Sequence, residues 1–372
     1  MKIVINGLSW SSLIKGVDRY LIELIRHLAL ADRQNEYYIF HGQWQKKILP
    51  SVQQKNFKFI CIKWVTNRIF RHIWHAFIFP FLAYRLKPDI IHLPNTLPLF
   101  FRIGNVVSTI HDQLLEFSYV PKYGKFRSLC RRITVKFQIK KSAHIIAVSD
   151  LVMDALLNRL NVNPSIISVI PNGVNTNHFN IKNRKQPLSE IIKPYILFVS
   201  VIDKNKNLDT LVRAYNMLPD SLKDKYLLIV VGKLGNAYKE VQSLVEKLKI
   251  NKKIIFLGHI TEKLPLIYSH SSVFVMPSWF EGFSLPILEA MASGVPVIAS
   301  DKIAVADYLK RDIMTFNPSN PNELKDKIEY LLTNKDYAEE MSKKGIMLAQ
   351  KFSWFNVAKE TLKIYKQVVS PK

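Results

Sequence analysis

The strongest constraint on the fold is a rhythm in which short, uninterrupted apolar runs are each followed by a segment of helical spacing. Lys2–Asn6, Tyr37–Phe40, Phe57–Ile62, Asp89–Leu93, Val106–Ile110, His144–Val148 and Ile167–Ile170 read as strands in the first half. The polar stretch Asn175–Pro194 interrupts the pattern. It restarts with Tyr195–Val199, Leu227–Val231, Ile254–Leu257, Ser272–Met276, Val295–Ala299 and Ile313–Phe316. Continuous apolar strands alternating with helices predict parallel sheets covered on both faces. A chain of 372 residues is long for one core. We therefore expect an α/β protein of two doubly wound, Rossmann-like domains facing across a cleft, over 1–180 and 190–352. The final segment, Trp354–Val369, also has helical spacing.

Open parallel sheets bind ligands beyond the carboxyl ends of their strands, so the loops there hold the candidate residues. The most informative follows Ser272–Met276 and reads Glu281-Gly282-Phe283-Ser284-Leu285-Pro286-Ile287-Leu288-Glu289. Pro286 suits a first helical turn, where its missing N–H costs nothing. The amides around Phe283, Ser284 and Leu285 then form a partly positive helix end able to hold a phosphate. Glu281 and Glu289 would repel a bare phosphate, but they can accept hydrogen bonds from hydroxyls beside it. A sugar and a ribose joined through a diphosphate has that shape. First-turn acids and Gly-Phe-Ser before Pro are also ordinary turn chemistry, so spacing alone leaves both readings open.

Other strand ends add candidates. Val106–Ile110 runs into His111-Asp112; a histidine there can meet a sugar hydroxyl or a backbone carbonyl, and Asp112 either orients it or serves the turn. After Tyr195–Val199 comes Val201-Ile202-Asp203-Lys204-Asn205-Lys206, in which Lys206 offers a point charge for a diphosphate. Gly16-Val17-Asp18 opens the first helix; Gly16 would let backbone approach a phosphate, whereas Asp18 suits a capping role. Gly258-His259-Ile260 follows Ile254–Leu257. No Asp-x-Asp, HExxH or C-x-x-C occurs, so the common metal-clamping routes to phosphate have no obvious ligands. Cys61 and Cys130 are too sparse for a disulfide framework and suit a reducing compartment. Met1–Asn6 reads as a first strand, not a signal peptide.

The formal net charge is +24, with 24 basic against 9 acidic residues in 1–180 and 29 against 20 in the remainder. No acidic residue occurs between Tyr37 and Pro88, or between Phe117 and Ser149. Such a surface suits nucleic acid, an anionic membrane or an acidic substrate, or is simply solvated. The apolar segment Ile69–Leu86 has a charge-free core of only 12 residues, Ile73–Tyr84, and contains Pro80. A span needs roughly 20 residues; we read the segment as a core helix, with membrane contact as the alternative. In Lys122–Lys141, Arg127, Arg131, Arg132, Lys136 and Lys140 recur near helical spacing among Phe126, Leu129, Ile133 and Phe137. That pattern fits either an interfacial helix on anionic lipid or a plain basic helix.

The block EGFSLPILEAMASGVPVIAS at 281–300, with its two glutamates, resembles the signature of retaining glycosyltransferases of family four. VVSTIHD at 106–112, IIAVSD at 145–150, VIPNGV at 169–174, YILFVS at 195–200 and FLGHI at 256–260 resemble the same family, and residues 1–70 do so less. The resemblance implies the GT-B architecture, with the last helix, 354–372, crossing back onto the first domain. It implies donor contacts by Gly16, Asp112, Ile260, Gly282, Phe283, Ser284, Leu285 and Glu289, the last holding the ribose, and catalytic roles for His111, Lys206 and Glu281. Val201 and Asn205 stand where the family often has a second cation, and Asp18 replaces a common glycine; both departures thin the phosphate contacts.

The expected function is transfer of a hexosyl unit from a nucleotide-diphosphate sugar to a glycan acceptor, with retained anomeric configuration. The acceptor would be lipid-linked, as in bacterial O-antigen, capsule or lipopolysaccharide synthesis. No cofactor or metal is expected beyond the sugar-nucleotide substrate, and no nucleic acid partner. Basic residues of the N-terminal half would hold an anionic membrane, placing the protein in the cytoplasm, peripheral to the inner membrane face. Two other readings stay open: a nucleotide-sugar epimerase or phosphorylase of the same architecture, and, on charge alone, a nucleic-acid-binding protein.

Overall fold

The computed structural model describes residues 1–8, 16–65, 68–95, 103–111, 125–188, 191–304, 309 and 312–370. The chain divides into two compact units. One comprises Met1–Phe117, Tyr123–Gly173 and Ser353–Lys372, and the other Val174–Phe352.

The first unit is built on a seven-stranded parallel sheet: β1 (Lys2–Asn6), β2 (Glu36–Gly42), β3 (Phe57–Ile62), β4 (Ile90–Leu93), β5 (Val106–Ile110), β6 (His144–Ala147) and β7 (Ile167–Val169). Their order is β3-β2-β1-β4-β5-β6-β7, the reversal beside β1 being the mark of double winding. Its helices are α1 (Gly16–Ala31), α2 (Arg68–Ile73), α3 (Phe79–Arg85), α4 (Lys125–Lys141) and α5 (Asp150–Leu160). A π turn over Trp74–Ile78 joins α2 to α3 just ahead of Pro80. Proline has no N–H for the carbonyl four residues back, and such turns absorb interruptions of this kind.

The two faces of this sheet are covered by different helices. Val4, Ile91, Leu93 and Val106 pack with Trp74, Phe79 and Ala83 of the α2–α3 segment. Ser108, on the same face of β5 as Val106 by the period of two, is hydrogen-bonded by Gln138 of α4 at 3.0 Å. His92 and Thr109 point to the opposite face, toward Tyr20 of α1.

The second unit has a six-stranded parallel sheet of β8 (Tyr195–Val199), β9 (Leu227–Val231), β10 (Ile254–Gly258), β11 (Val273–Met276), β12 (Val297–Ser300) and β13 (Met314–Phe316). The order is β10-β9-β8-β11-β12-β13. Its helices are α6 (Leu208–Asn216), α7 (Asp220–Lys225), α8 (Tyr238–Lys247), α9 (Leu264–His270), α10 (Leu285–Ala292), α11 (Pro321–Thr333) and α12 (Lys335–Ala349). A last helix, α13 (Trp354–Val369), packs against α1 and β4 of the first unit.

The stretch read as a polar linker is partly structured. Phe179 is buried edge-on to Tyr268, and Arg184 Nε donates to the Ser269 carbonyl at 2.6 Å. The residues after Gly173 therefore belong to the second unit. Phe179 and Arg184 do the anchoring, which is why no periodic pattern announced it.

Candidate active site

Because all six strands of the second sheet run the same way, their carboxyl ends share one edge. Three of these ends are tied together by backbone. Ser200 N–H donates to the Val231 carbonyl at 3.0 Å, and Gly232 N–H to the Gly258 carbonyl at 2.7 Å. Gly232 has φ +149°, and a Cβ there would lie 1.8 Å from the Ser200 oxygen. Asp203 Oδ1 accepts from Asn236 N–H at 3.0 Å, lacing the loop after β8 to the loop after β9. Ile260, half-buried, follows Gly258 on the same edge.

The loop after β8 carries Lys206, and the loop after β11 carries Glu281. Lys206 Nζ lies 2.5 Å from Glu281 Oε1, and Ser278 Oγ donates to the same oxygen at 2.8 Å. Both members of the pair are largely buried, with 13% and 11% of their side chains exposed. The two loops are also joined through backbone, Trp279 N–H to the Asn205 carbonyl at 2.9 Å. Buried ion pairs need such extra hydrogen bonds to offset desolvation.

Just beyond, Ser284 precedes α10 at φ +76°, a left-handed conformation that is uncommon outside glycine. Its side chain does not cap the helix, and its buried Oγ has no hydrogen-bond partner among the described residues. The first-turn amides of α10 thus lack the usual serine cap. Pro286 occupies the opening turn, as expected. Glu289, buried, stands four residues after Leu285 on one helix face; side chains on a helix lean toward its N-terminus, which directs this carboxylate toward the same tip. Gly282 and Phe283 complete the loop, Phe283 being buried edge-on to Phe352.

The remaining predicted residues belong to the first unit. His111, buried at the end of β5, has Nε2 3.2 Å from the Pro94 carbonyl and its ring edge-on to Tyr20. Gly16 is the first residue of α1, where an added Cβ would have no atom of the described residues within 4 Å. Asp18 is the third residue of α1 and is buried, three positions past the one that would cap the helix, the role read from sequence. Asp112 and most of the loop before Gly16 lie outside the described residues. Among the described residues, no group of three or more His, Cys, Asp or Glu is placed to hold a metal ion.

Residues 14–178 match the model of Glycosyltransferase Family 4, and residues 180–347 that of Glycosyl transferases group 1. The chain belongs to glycosyltransferase family four. It is 27% identical to O-antigen chain mannosyltransferase B of Escherichia coli, over 95% of this chain and 96% of the relative. In fold, this glycosyltransferase resembles the sucrose-phosphate synthase of Thermosynechococcus elongatus, with a TM-score of 0.78 at 21% identity over 99% and 98% of the two chains. It likewise resembles Anabaena HepE in complex with UDP-glucose, with a TM-score of 0.76 at 17% identity over 99% and 100%. The expected GT-B class of two parallel-sheet α/β domains is thereby established.

Several residues of this transferase escaped the sequence reading. Asn207, at φ +54°, donates through Nδ2 to the carbonyls of Pro277 and Pro318 at 3.0 and 2.9 Å, joining the loops after β8, β11 and β13. Asn tolerates the left-handed region, but nothing in Lys-Asn-Leu marks one. Gly232 sits where a lone glycine after an apolar run is an available sign of close backbone approach. His92, buried in β4, bridges Tyr365 of α13 at 2.5 Å and Thr109 of β5 at 2.8 Å, and Thr109 meets Tyr20 at 3.1 Å. Burial, with the neighbouring His111 adding to it, pushes the His92 pKa down to about 3, so the ring is neutral. No local spacing links residues 273 positions apart.

Proposed function

We propose that this glycosyltransferase moves a hexosyl unit from a nucleotide-diphosphate sugar to a lipid-linked glycan in the assembly of a bacterial surface polysaccharide, with retention and without a metal. The observation that carries the reading is the grouping of Lys206, Glu281 and the uncapped start of α10 on one sheet edge. Lys206 and the first-turn amides hold the diphosphate, Glu281 hydrogen-bonds the sugar, and Glu289 hydrogen-bonds the ribose. The loop at Gly258–Ile260 meets the base through its backbone. His111 is assigned a sugar contact, and Gly16 and Asp112 donor contacts, on the family resemblance alone.

In the transfer step the bond from the anomeric carbon to the diphosphate oxygen breaks, and a bond to the acceptor hydroxyl oxygen forms on the same face. The hydroxyl proton passes to the departing phosphate oxygen. Charge develops on that diphosphate, where Lys206 and the helix end are already in place, and preorganised positive groups are most effective there. Glu281 is held by Lys206 and Ser278, an orienting arrangement that leaves no need for a covalent glycosyl-enzyme.

The mannosyltransferase likeness and the UDP-glucose bound to HepE support a hexose donor. Among the described residues no helix is long and apolar enough to cross a membrane; we place the protein at the inner membrane face through its basic first unit. The test is product analysis with a panel of nucleotide-diphosphate hexoses and a polyprenyl-linked glycan. A glycoside with the donor's anomeric configuration, formed in the presence of chelator, supports the reading. An inverted product contradicts retention, chelator-abolished turnover contradicts metal independence, and an epimerised donor released without acceptor contradicts transfer.

A further inference from the structure

The segment read as a core helix buries only one side. Trp74, His75, Ala76, Phe79 and Ala83 face the first sheet. Ile73, Phe77, Phe81 and Tyr84, at helical spacing, lie on the other side, with Phe81 59% and Tyr84 72% exposed. Trp64, also exposed, extends the ridge by an edge contact with Phe70. The second basic stretch repeats the arrangement. On α4, Leu129 is 53% and Ile133 44% exposed, one turn apart, while Val135 and Ile139 are buried beneath. Both ridges stand on helices that cover one face of the same sheet, as Val106 and Ser108 establish.

Scattered exposed apolar side chains are ordinary, but two ordered ridges on one face are not. The charge around them is of one sign. The segment 68–87 carries Arg68, Arg71, Arg85 and Lys87 with no acid, and α4 carries seven basic residues with none. Lys136 and Lys140 are exposed beside the α4 ridge, and Arg85 lies over the Phe81 ring. The side chains of Phe126, Arg127 and Arg131 are outside those described.

We propose that this face, formed by α2–α3 and α4, is where the protein docks on an anionic lipid bilayer, with Phe81, Tyr84, Leu129 and Ile133 entering the headgroup region and the basic side chains meeting lipid phosphates. The proposal deepens the membrane-surface part of the proposed function and rests on it. The chemistry favours lipid over other occupants. Amphipathic aromatics prefer the membrane interface, and basic groups flanking an apolar face strengthen attachment to anionic lipid. A second copy of this chain, packed face to face about a two-fold axis, would set two all-basic helices against each other. Nucleic acid would use the charges but not the aliphatic ridge.

The test is co-sedimentation of the full chain with vesicles of phosphatidylcholine alone and with about one-third phosphatidylglycerol. Binding to the anionic vesicles only is expected. Lys136→Glu with Lys140→Glu should weaken it about tenfold or more. Phe81→Ser with Tyr84→Ser should abolish the part of the binding that survives high salt. A Phe81→Trp variant should show bilayer entry as emission quenched by brominated lipid. Melting temperature and the shift produced by nucleotide-diphosphate sugars should be unchanged in all three variants, which separates a failure here from a failure of the donor site. Binding equal on neutral vesicles, or unaltered by the substitutions, overturns the proposal. So do oligonucleotides displacing the protein while Phe81→Trp stays unquenched, and a dimer in sedimentation equilibrium that Phe81→Ser with Tyr84→Ser dissociates.

Discussion

Lys206 Nζ rests 2.5 Å from Glu281 Oε1, so the cation assigned to the donor diphosphate is already held by the carboxylate assigned to the sugar. The arrangement pairs two largely buried charges and, with the Ser278 hydrogen bond, fixes both side chains. It also separates two roles experimentally. Lys206→Ala should lower kcat/KM by about 100-fold or more through lost diphosphate stabilisation. It should also destabilise the free protein, by up to about 3–5 kcal/mol for a fully buried partner left uncompensated, less here because both side chains are partly exposed and Ser278 still bonds Glu281. The double variant Lys206→Ala with Glu281→Gln should recover stability but not activity. Steady-state kinetics and urea melts of wild type and the two variants check this.

Two glycines should respond oppositely to a methyl group. Gly232→Ala forces a Cβ into the Ser200 carbonyl at 1.8 Å, at a backbone angle few residues adopt, and should cost on the order of 3 kcal/mol or more. Gly16→Ala meets no atom of the described residues within 4 Å and should change stability by about 0.5 kcal/mol or less. Chemical denaturation decides both, and a raised KM for donor in Gly16→Ala would support its assigned donor contact.

The first unit should lose stability in mild acid. His92 is neutral when folded, with its pKa pushed from 6.5 to about 3, so below 6.5 the unfolded chain binds a proton that the native chain does not. Stability falls as pH drops through that window, by about 2 kcal/mol between 6.5 and 5 from this group. His92→Gln should flatten that part of the urea-midpoint profile, whatever its effect at pH 7.

Tyr365→Phe removes the hydroxyl that meets His92 Nδ1 and leaves a buried ring nitrogen unsatisfied. A loss of about 1–3 kcal/mol is expected, together with faster proteolytic release of α13. Equal protease resistance in the variant would show that packing on α1 alone holds the helix.

The sheets were legible because strands buried on both faces must be apolar throughout. Lys2–Asn6, Phe57–Ile62, Val106–Ile110 and Tyr195–Val199 fall where expected to the residue. The family block at 281–300 was legible for another reason: a proline in the opening turn and two glutamates eight positions apart are local features. What stayed hidden was either long-range or one-sided. The Lys206–Glu281 pair joins residues 75 apart, and Asn207 binds carbonyls as far as 111 away. For the Ile69–Leu86 segment, read as a core helix, composition alone did not reveal which side of the helix meets the sheet; the alternation of Trp74 and Phe79 with Phe77 and Phe81 decides it.

The account turns on the edge at the start of α10 being the seat of the nucleotide. The most direct measurement is a thermal-shift screen of nucleoside diphosphates and their hexoses against wild type and Glu289→Ala. A ligand at about 100 times its Kd adds about 2.7 kcal/mol of stability, and a lost hydrogen bond to a carboxylate is worth roughly 1.5–3 kcal/mol. At least one nucleotide should therefore raise the wild-type melting temperature by several degrees, and Glu289→Ala should erase most of that rise at the same concentration. An equal shift in the variant, or none in wild type from any nucleotide, would contradict it.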